Sequence, residues 1–174
     1  MQRYLGINIL VLALAVEAAE VCRKHGFAYY LALADIFIGW ATGMSGDSNT
    51  GLAKLRTGLD ALKSLRAELR LPFYHGLLAE VYGAAGQIGE ALANVATGFA
   101  FLNKNGEAWS APELNRIHGD LLLRSGDASQ SRVSYQRAIA LARQTGARLF
   151  ELRAAARLRA LPAHENDQAN AAER

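Results

Sequence analysis

The sequence predicts an all-α protein, an array of helical hairpins with a period of about 40 residues. Three observations predict it. Small residues recur at one interval, so that Gly46, Gly86 and Gly126 are 40 apart, as are Gly39, Ala79 and Gly119. The chain is 51% apolar but has only 3 prolines and 8% aromatic residues, which suits packed helices better than a sheet. Between glycine-rich breaks the apolar residues follow the three-and-four spacing of a helix face. With 174 residues there is enough chain for one sizeable core. The stretch from Leu77 to Leu92, folded around Gly86, is the clearest single hairpin.

At the N-terminus, Arg3 followed by the apolar run Ile9 to Val16, with Ala13 and Ala15, imitates a signal peptide. The run is shorter than the roughly 20 residues that span a bilayer. Glu17, Glu20, Arg23 and Lys24 continue it as an ordinary helix. Ala18 to Gly26 lies three periods before Ala138 to Gly146. Residues 9–26 therefore read as the second half of a hairpin whose first helix is missing or reduced to a remnant at residues 1–8.

The first complete unit spans 27–66. Leu31, Ala34, Ile38 and Ala41 mark a helix up to the break at Gly43 to Asn49, and Leu52, Leu55, Leu59, Leu62 and Leu65 mark a second from about Thr50 to Ala67. In the second unit, 67–106, Pro72 opens a helix at a position that tolerates its missing N–H. That helix runs to the turn Ala85-Gly86-Gln87 and is followed by a partner from Ile88 to Asn103. The third unit, 107–146, starts with Ser110, Pro112 and Glu113, the pattern of a capping box. Its first helix ends near Gly126-Asp127, and its second runs from Ser129 to Gln144 before Gly146.

A capping helix over 147–161 is the eighth, with Leu149, Leu152, Ala155, Ala156 and Leu158 expected inward and Arg153, Arg157 and Arg159 elsewhere. Residues 162–174 contain no large apolar residue and are expected to form a mobile tail. Asn166-Asp167 keeps the phase of Gly126-Asp127, yet no apolar second helix follows. The array reads as cut short at both ends, within one domain over 9–161.

These residues resemble the tetratricopeptide repeat. Ala79, Tyr82, Gly86, Ala91 and Gly98 in the second unit, and Gly119, Gly126, Ser131, Tyr135 and Ala138 in the third, follow its pattern of small residues, aromatic and turn glycine. The first unit has Gly39, Gly46, Gly51 and Gly58 but Thr42 in place of the aromatic. The period exceeds the usual 34 residues, so longer helices are expected, and HEAT or armadillo repeats share that longer period. The resemblance implies a right-handed α-solenoid.

A closer resemblance is to the C-terminal tetratricopeptide region of multidomain bacterial proteins that carry a class III adenylate/guanylate cyclase domain and an ATPase module. It rests on Gly26 to Ala32 with Gly39-Trp40-Ala41, Pro72-Phe73-Tyr74 with Leu77 to Gly83, Glu113 to Leu123, and Gly146 to Ala155. The catalytic and nucleotide-binding segments of such proteins lie outside the matching region. The resemblance implies a fragment or stand-alone relative of that arm, with a role in signal transduction.

The chemistry expected of this chain is slight. A net charge of +3, without a block of five or six like charges, gives no support to nucleic-acid or membrane-surface binding. The single Cys22 forms no internal disulfide, which favours a cytoplasmic setting. There is no Gly-x-x-x-x-Gly-Lys-Ser/Thr loop and no Gly-x-Gly-x-x-Gly turn, so no cofactor and no ATPase activity are expected. Gly43-Met44-Ser45-Gly46 falls short of a nucleophile elbow and reads as an interhelical turn. His25, His75, His118 and His164 lack the spacing of metal ligands, and Cys22 with His25 supplies only two groups, so no metal is expected.

What remains is a surface. In tetratricopeptide register the first helices line a concave face, on which such scaffolds hold peptides. The predicted groove contains Leu33, Ile36, Trp40 and Met44, then Phe73, Gly76, Glu80 and Ala84, then Glu113, Arg116, Asp120 and Arg124, and Arg153 in the last helix. Trp40, Glu80 and Asp120 are equivalent positions. A non-enzymatic scaffold that binds a protein or peptide is the expected function, with Trp40 as an aromatic anchor beside carboxylates and arginines. The plainer reading makes Trp40 core and Arg116, Asp120 and Arg124 weak surface pairs. The alternative is a ligand-binding protein or enzyme that uses the groove as a pocket joining Trp40, Glu80 and Arg116. The apolar helix from Ile9 to Val21 is also expected to pack on another helix, on a second copy or on a partner.

Overall fold

Glycine sets where this chain turns. Gly26, Gly46, Gly86, Gly106, Gly126 and Gly146 all have positive φ, and Arg66 (φ 53) adopts the same hand, so a left-handed residue falls at every twentieth position. Such a residue ends a helix by turning the chain where a side chain is disfavoured. Arg70 (φ 64) adds one more in the longer connection that follows Arg66.

The computed structural model describes residues 2–162, with side chains from residue 7 onward. Among the described residues there are eight helices and no strands: α1 (Gln2–His25), α2 (Ala28–Met44), α3 (Ser48–Ser64), α4 (Leu71–Ala84), α5 (Ile88–Asn105), α6 (Ala111–Arg124), α7 (Ala128–Gln144) and α8 (Arg148–Ala160). No helix among them is long and apolar enough to cross a membrane. Asp47 and Asp127 cap α3 and α7 by accepting from the backbone N–H of Thr50 (3.1 Å) and Gln130 (2.9 Å). The expected mobile tail falls, apart from Pro162, on residues 163–174, outside the described residues.

The chain divides into two compact units, Met1–Ser110 and Ala111–Arg174. In the first, α2 packs against α1, α3 and α4, and α4 packs also against α3 and α5. In the second, α6, α7 and α8 all touch one another. Within each unit, the first helix of a hairpin, α2 or α6, thus meets both its own partner and the first helix of the next hairpin, α4 or α8. Ile36, Leu55, Leu62, Tyr74, Val81 and Val95 form the core of the first unit, and Leu114, Ile117, Tyr135 and Ala138 that of the second. Glycine brings α2 and α3 into backbone contact. A Cβ on Gly39 would lie 2.7 Å from the Gly51 carbonyl oxygen, and one on Gly58 would lie 2.6 Å from that of Ala32. Gly119 makes room in the same way for the ring of Tyr135.

Four expectations need correction. Helix α1 begins at Gln2 rather than Ile9. Residues 2–8 contain no proline and no turn pair, so a helix already formed by the apolar run extends back through them at little cost. The capping box at Ser110 is not formed. The Ser110 hydroxyl is buried without a hydrogen bond, and the Glu113 carboxylate is drawn to arginines instead, whose charge-assisted bonds are stronger than a bond to a backbone N–H. Ile36 and Gly76 are core, not groove. Finally, α8 is rotated from the expected orientation: Leu149 and Leu152 are 67% and 65% exposed, while Ala154 is buried. Arg153 and Arg157 face acidic groups on α6, and that pairing turns the two leucines outward.

Candidate functional site

Arg116 occupies a core position. Its equivalents one and two periods earlier, Gly76 and Ile36, are buried, and Arg116 itself is 2% exposed. A charge so placed requires partners, and its own helix supplies two. Its Nε and Nη2 donate to Glu113 Oε1 at 3.0 and 2.9 Å, and its Nη1 donates to Asp120 Oδ2. The i−3 and i+4 spacings put both carboxylates on the same side of α6.

The neighbouring helices complete the cluster. From α8, Arg153 Nη1 lies 2.8 Å from Glu113 Oε1, and Arg157 Nε lies 3.2 Å from Asp120 Oδ1. From α7, the Tyr135 hydroxyl donates to Asp120 Oδ1 at 2.6 Å. Burial and then the Asp120 carboxylate push the Tyr135 hydroxyl far above the usual tyrosine range, which keeps it a donor. Arg153 and Arg157 are 39% and 45% exposed, so both side chains also reach solvent. Glu113 Oε2 is buried and accepts no hydrogen bond.

Of the predicted site residues, Glu113, Arg116, Asp120 and Arg153 come together here, with Arg124 exposed in the last turn of α6. Arg116 is a buried residue and not part of a weak surface pair. In the first unit, the Trp40 indole N–H donates to Glu80 Oε2 at 2.9 Å, so two equivalent positions bond to each other across α2 and α4. Trp40 and Met44 are half-buried. Phe73 joins an aromatic group, with ring centroids 5.8 Å from Tyr74 and 5.3 Å from Trp109. Arg70 lies over Trp109 at 5.7 Å. Sequence reasoning missed the roles of Arg157 and Tyr135; the signal for Arg157 was its position four residues after Arg153, on the same helix face. Among the described residues no three His, Cys, Asp or Glu side chains converge as metal ligands.

No family model matches this chain. It is similar to a protein of Rhizobium meliloti (strain 1021) named only as uncharacterized, with 27% identity over 148 residues. The match covers 84% of this chain but 14% of the relative, so the chain spans a small part of the length of the protein it matches.

A second polar feature recurs within the hairpins. Lys54 Nζ on α3 lies 2.9 Å from Asp35 Oδ1 on α2, and 40 residues later His75 Nδ1 on α4 lies 3.2 Å from Asn94 Oδ1 on α5. In the third hairpin Ser134 Oγ lies 3.1 Å from His118 Nδ1. Burial holds the pKa of both histidines below the usual value, and for His75 this outweighs the opposing hydrogen bond to Asn94. With the folded pKa below the unfolded one, the unfolded chain binds more protons as pH falls. Each histidine's contribution to stability is therefore full above the unfolded pKa of about 6.5 and is lost as pH falls through the lower folded value. Denaturant midpoints are expected to drop between about pH 7.5 and pH 5.5, and to drop less in His75→Gln and His118→Gln. Equal drops in all three proteins would assign the acid sensitivity to other groups.

Proposed function

We propose that this chain is a non-catalytic protein-interaction module built of tetratricopeptide-like hairpins, in the right-handed solenoid that the resemblance implies. It works in the cytoplasm as a fragment or stand-alone relative of the arm carried by cyclase- and ATPase-bearing signalling proteins. The match to a small part of a much longer protein supports a region that acts beside other domains.

One observation carries the choice of partner: the buried Glu113–Arg116–Asp120 chain holds two half-exposed arginines, Arg153 and Arg157, in fixed positions. Guanidinium groups offer five donors in a rigid fork that matches a carboxylate, and fixing them in advance lowers the cost of binding. The partner surface that fits is a protein segment rich in Asp and Glu, lying along α6 and α8 with Arg124 at one end.

The test is fluorescence anisotropy with a labelled Glu-rich peptide and a Lys-rich peptide of the same length. The Glu-rich peptide is expected to bind saturably, more weakly as salt is raised. Arg153→Ala combined with Arg157→Ala should weaken binding about tenfold or more with helicity retained. Equal binding of the two peptides, or none of either, would sink the acidic-partner reading.

A further inference from the structure

Both terminal helices expose the face that is covered in a complete hairpin. Within a hairpin, a first-helix residue meets the second-helix residue nineteen positions later, as in Asp35 with Lys54 and His75 with Asn94. Four residues beyond Lys54, Gly58 fits against Ala32 and Ile36. Steps of forty residues carry these second-helix positions to Leu14 and Ala18 on α1. They carry the first-helix positions to Leu152, Ala155 and Ala156 on α8. Leu14 is 57% exposed and Ala18 is exposed, with Leu10 (60%) and Val21 (49%) on the same side. Leu152 is 65% exposed, Ala156 is exposed and Ala155 is half-buried. By position, α1 is a second helix with its first-helix face open, and α8 is a first helix with its second-helix face open.

The chemistry at the two open faces matches. The first-helix series at the clasp is Asp35, His75, Asn115 and Ala155, and the second-helix series is Leu14, Lys54, Asn94 and Ser134. The apolar member of each series stands at an open face. A lysine or an asparagine at position 14 would want a polar partner; a leucine wants the alanine that α8 offers.

We propose that a second copy of this chain covers both faces. Helix α8 of one molecule packs antiparallel on α1 of the next, continuing the within-chain interface as a hairpin made between chains, with Ala155 on Leu14 and with Leu152 and Ala156 against Ala18. The contact is head to tail, so it propagates into open chains or closes into a ring. Arg159 stands where α2, α4 and α6 have Gly39, Ala79 and Gly119, which makes this crossing wider than that of α2 with α3. The inference rests on the repeat reading above and is independent of the acidic partner, whose peptide titration can fail or succeed without it.

Sedimentation equilibrium of the full chain from micromolar to millimolar concentration tests it, with circular dichroism confirming that every variant is folded. The wild-type mass is expected to rise with concentration. Leu14→Lys and Ala155→Asp should each abolish the rise, because each spoils one end. An equimolar mixture of the two variants should regain assembly, because each presents its unaltered end to the other and the two altered ends pair a lysine with an aspartate. The double variant Leu14→Lys with Ala155→Asp should regain assembly through a pair like Lys54 with Asp35. Arg159→Ala should strengthen association several-fold, and weakening would show the register to be wrong. A wild-type monomer at all concentrations overturns the proposal. So does loss of assembly in Leu14→Lys but not in Ala155→Asp, which would place α1 on α1 about a twofold axis.

Discussion

Replacing Arg116 with alanine is expected to destabilise the unit of α6, α7 and α8 by about 3–5 kcal/mol, the usual result of breaking a buried ion pair from one side. The loss comes less from missing attraction than from what stays behind. Glu113 is 4% exposed, its Oε2 already lacks a hydrogen bond, and Arg153 alone would have to neutralise it. Asp120 is better placed, since Arg157 and Tyr135 still reach it. For a unit of this size that loss corresponds to a fall in melting temperature of roughly 12 °C or more. Arg116→Met combined with Glu113→Gln removes both charges and should recover most of the stability, since an apolar replacement of a buried pair is often neutral. A shift below about 1 kcal/mol for Arg116→Ala would mean that water screens the cluster as it does a surface pair.

Gly51→Ala and Gly89→Ala are expected to change stability in opposite directions, although both introduce a better helix former. Helix propensity alone favours alanine by up to about 1 kcal/mol at each site. A Cβ on Gly51, however, would lie 2.6 Å from both the Cα and the N of Gly43, and 2.7 Å from the Gly39 carbonyl oxygen. All three are backbone atoms that cannot rotate away, so α2 and α3 would have to separate. Overpacking of this kind costs typically 1–3 kcal/mol and sometimes more, which exceeds the propensity gain. Gly89 has nothing within 4 Å of the same added atom, so there the gain survives. Urea midpoints of the two variants measure both signs. A stabilised Gly51→Ala would show that the α2–α3 contact is looser than described.

The hairpins were legible because glycine marks them in two ways. Gly46, Gly86 and Gly126 reverse the chain, while Gly39, Gly51, Gly58 and Gly119 stand where one helix meets the next. Both roles disfavour a larger residue, and although Arg66 and Ala79 fill one position of each kind, the glycines are frequent enough to betray position. The orientation of α8 was not legible. Its apolar spacing points Leu149 and Leu152 inward, and only the acids on α6, Glu113 one period before Arg153 and Asp120 about two turns further on, reveal that arginines claim that side. Arg116 was half legible: it departs from Ile36 and Gly76 at the same position, but whether an arginine there is buried or extends to solvent depends on neighbours that α7 and α8 provide. The equivalence of Trp40 and Glu80 was plain from numbering. Their bond was not, because it follows from α2 and α4 packing side by side.

The even spacing of the left-handed residues makes the length of this chain quantised. A few residues inserted within a helix would rotate the rest of it by about 100° per residue and turn its apolar face away from the neighbouring helix before the next glycine is reached. Gain or loss of a forty-residue block leaves each bend on a residue that already accepts it. Length variation among chains of this type is therefore expected in whole blocks, with small insertions confined to the one loose joint, between Arg66 and Arg70, where the reversal does not depend on glycine.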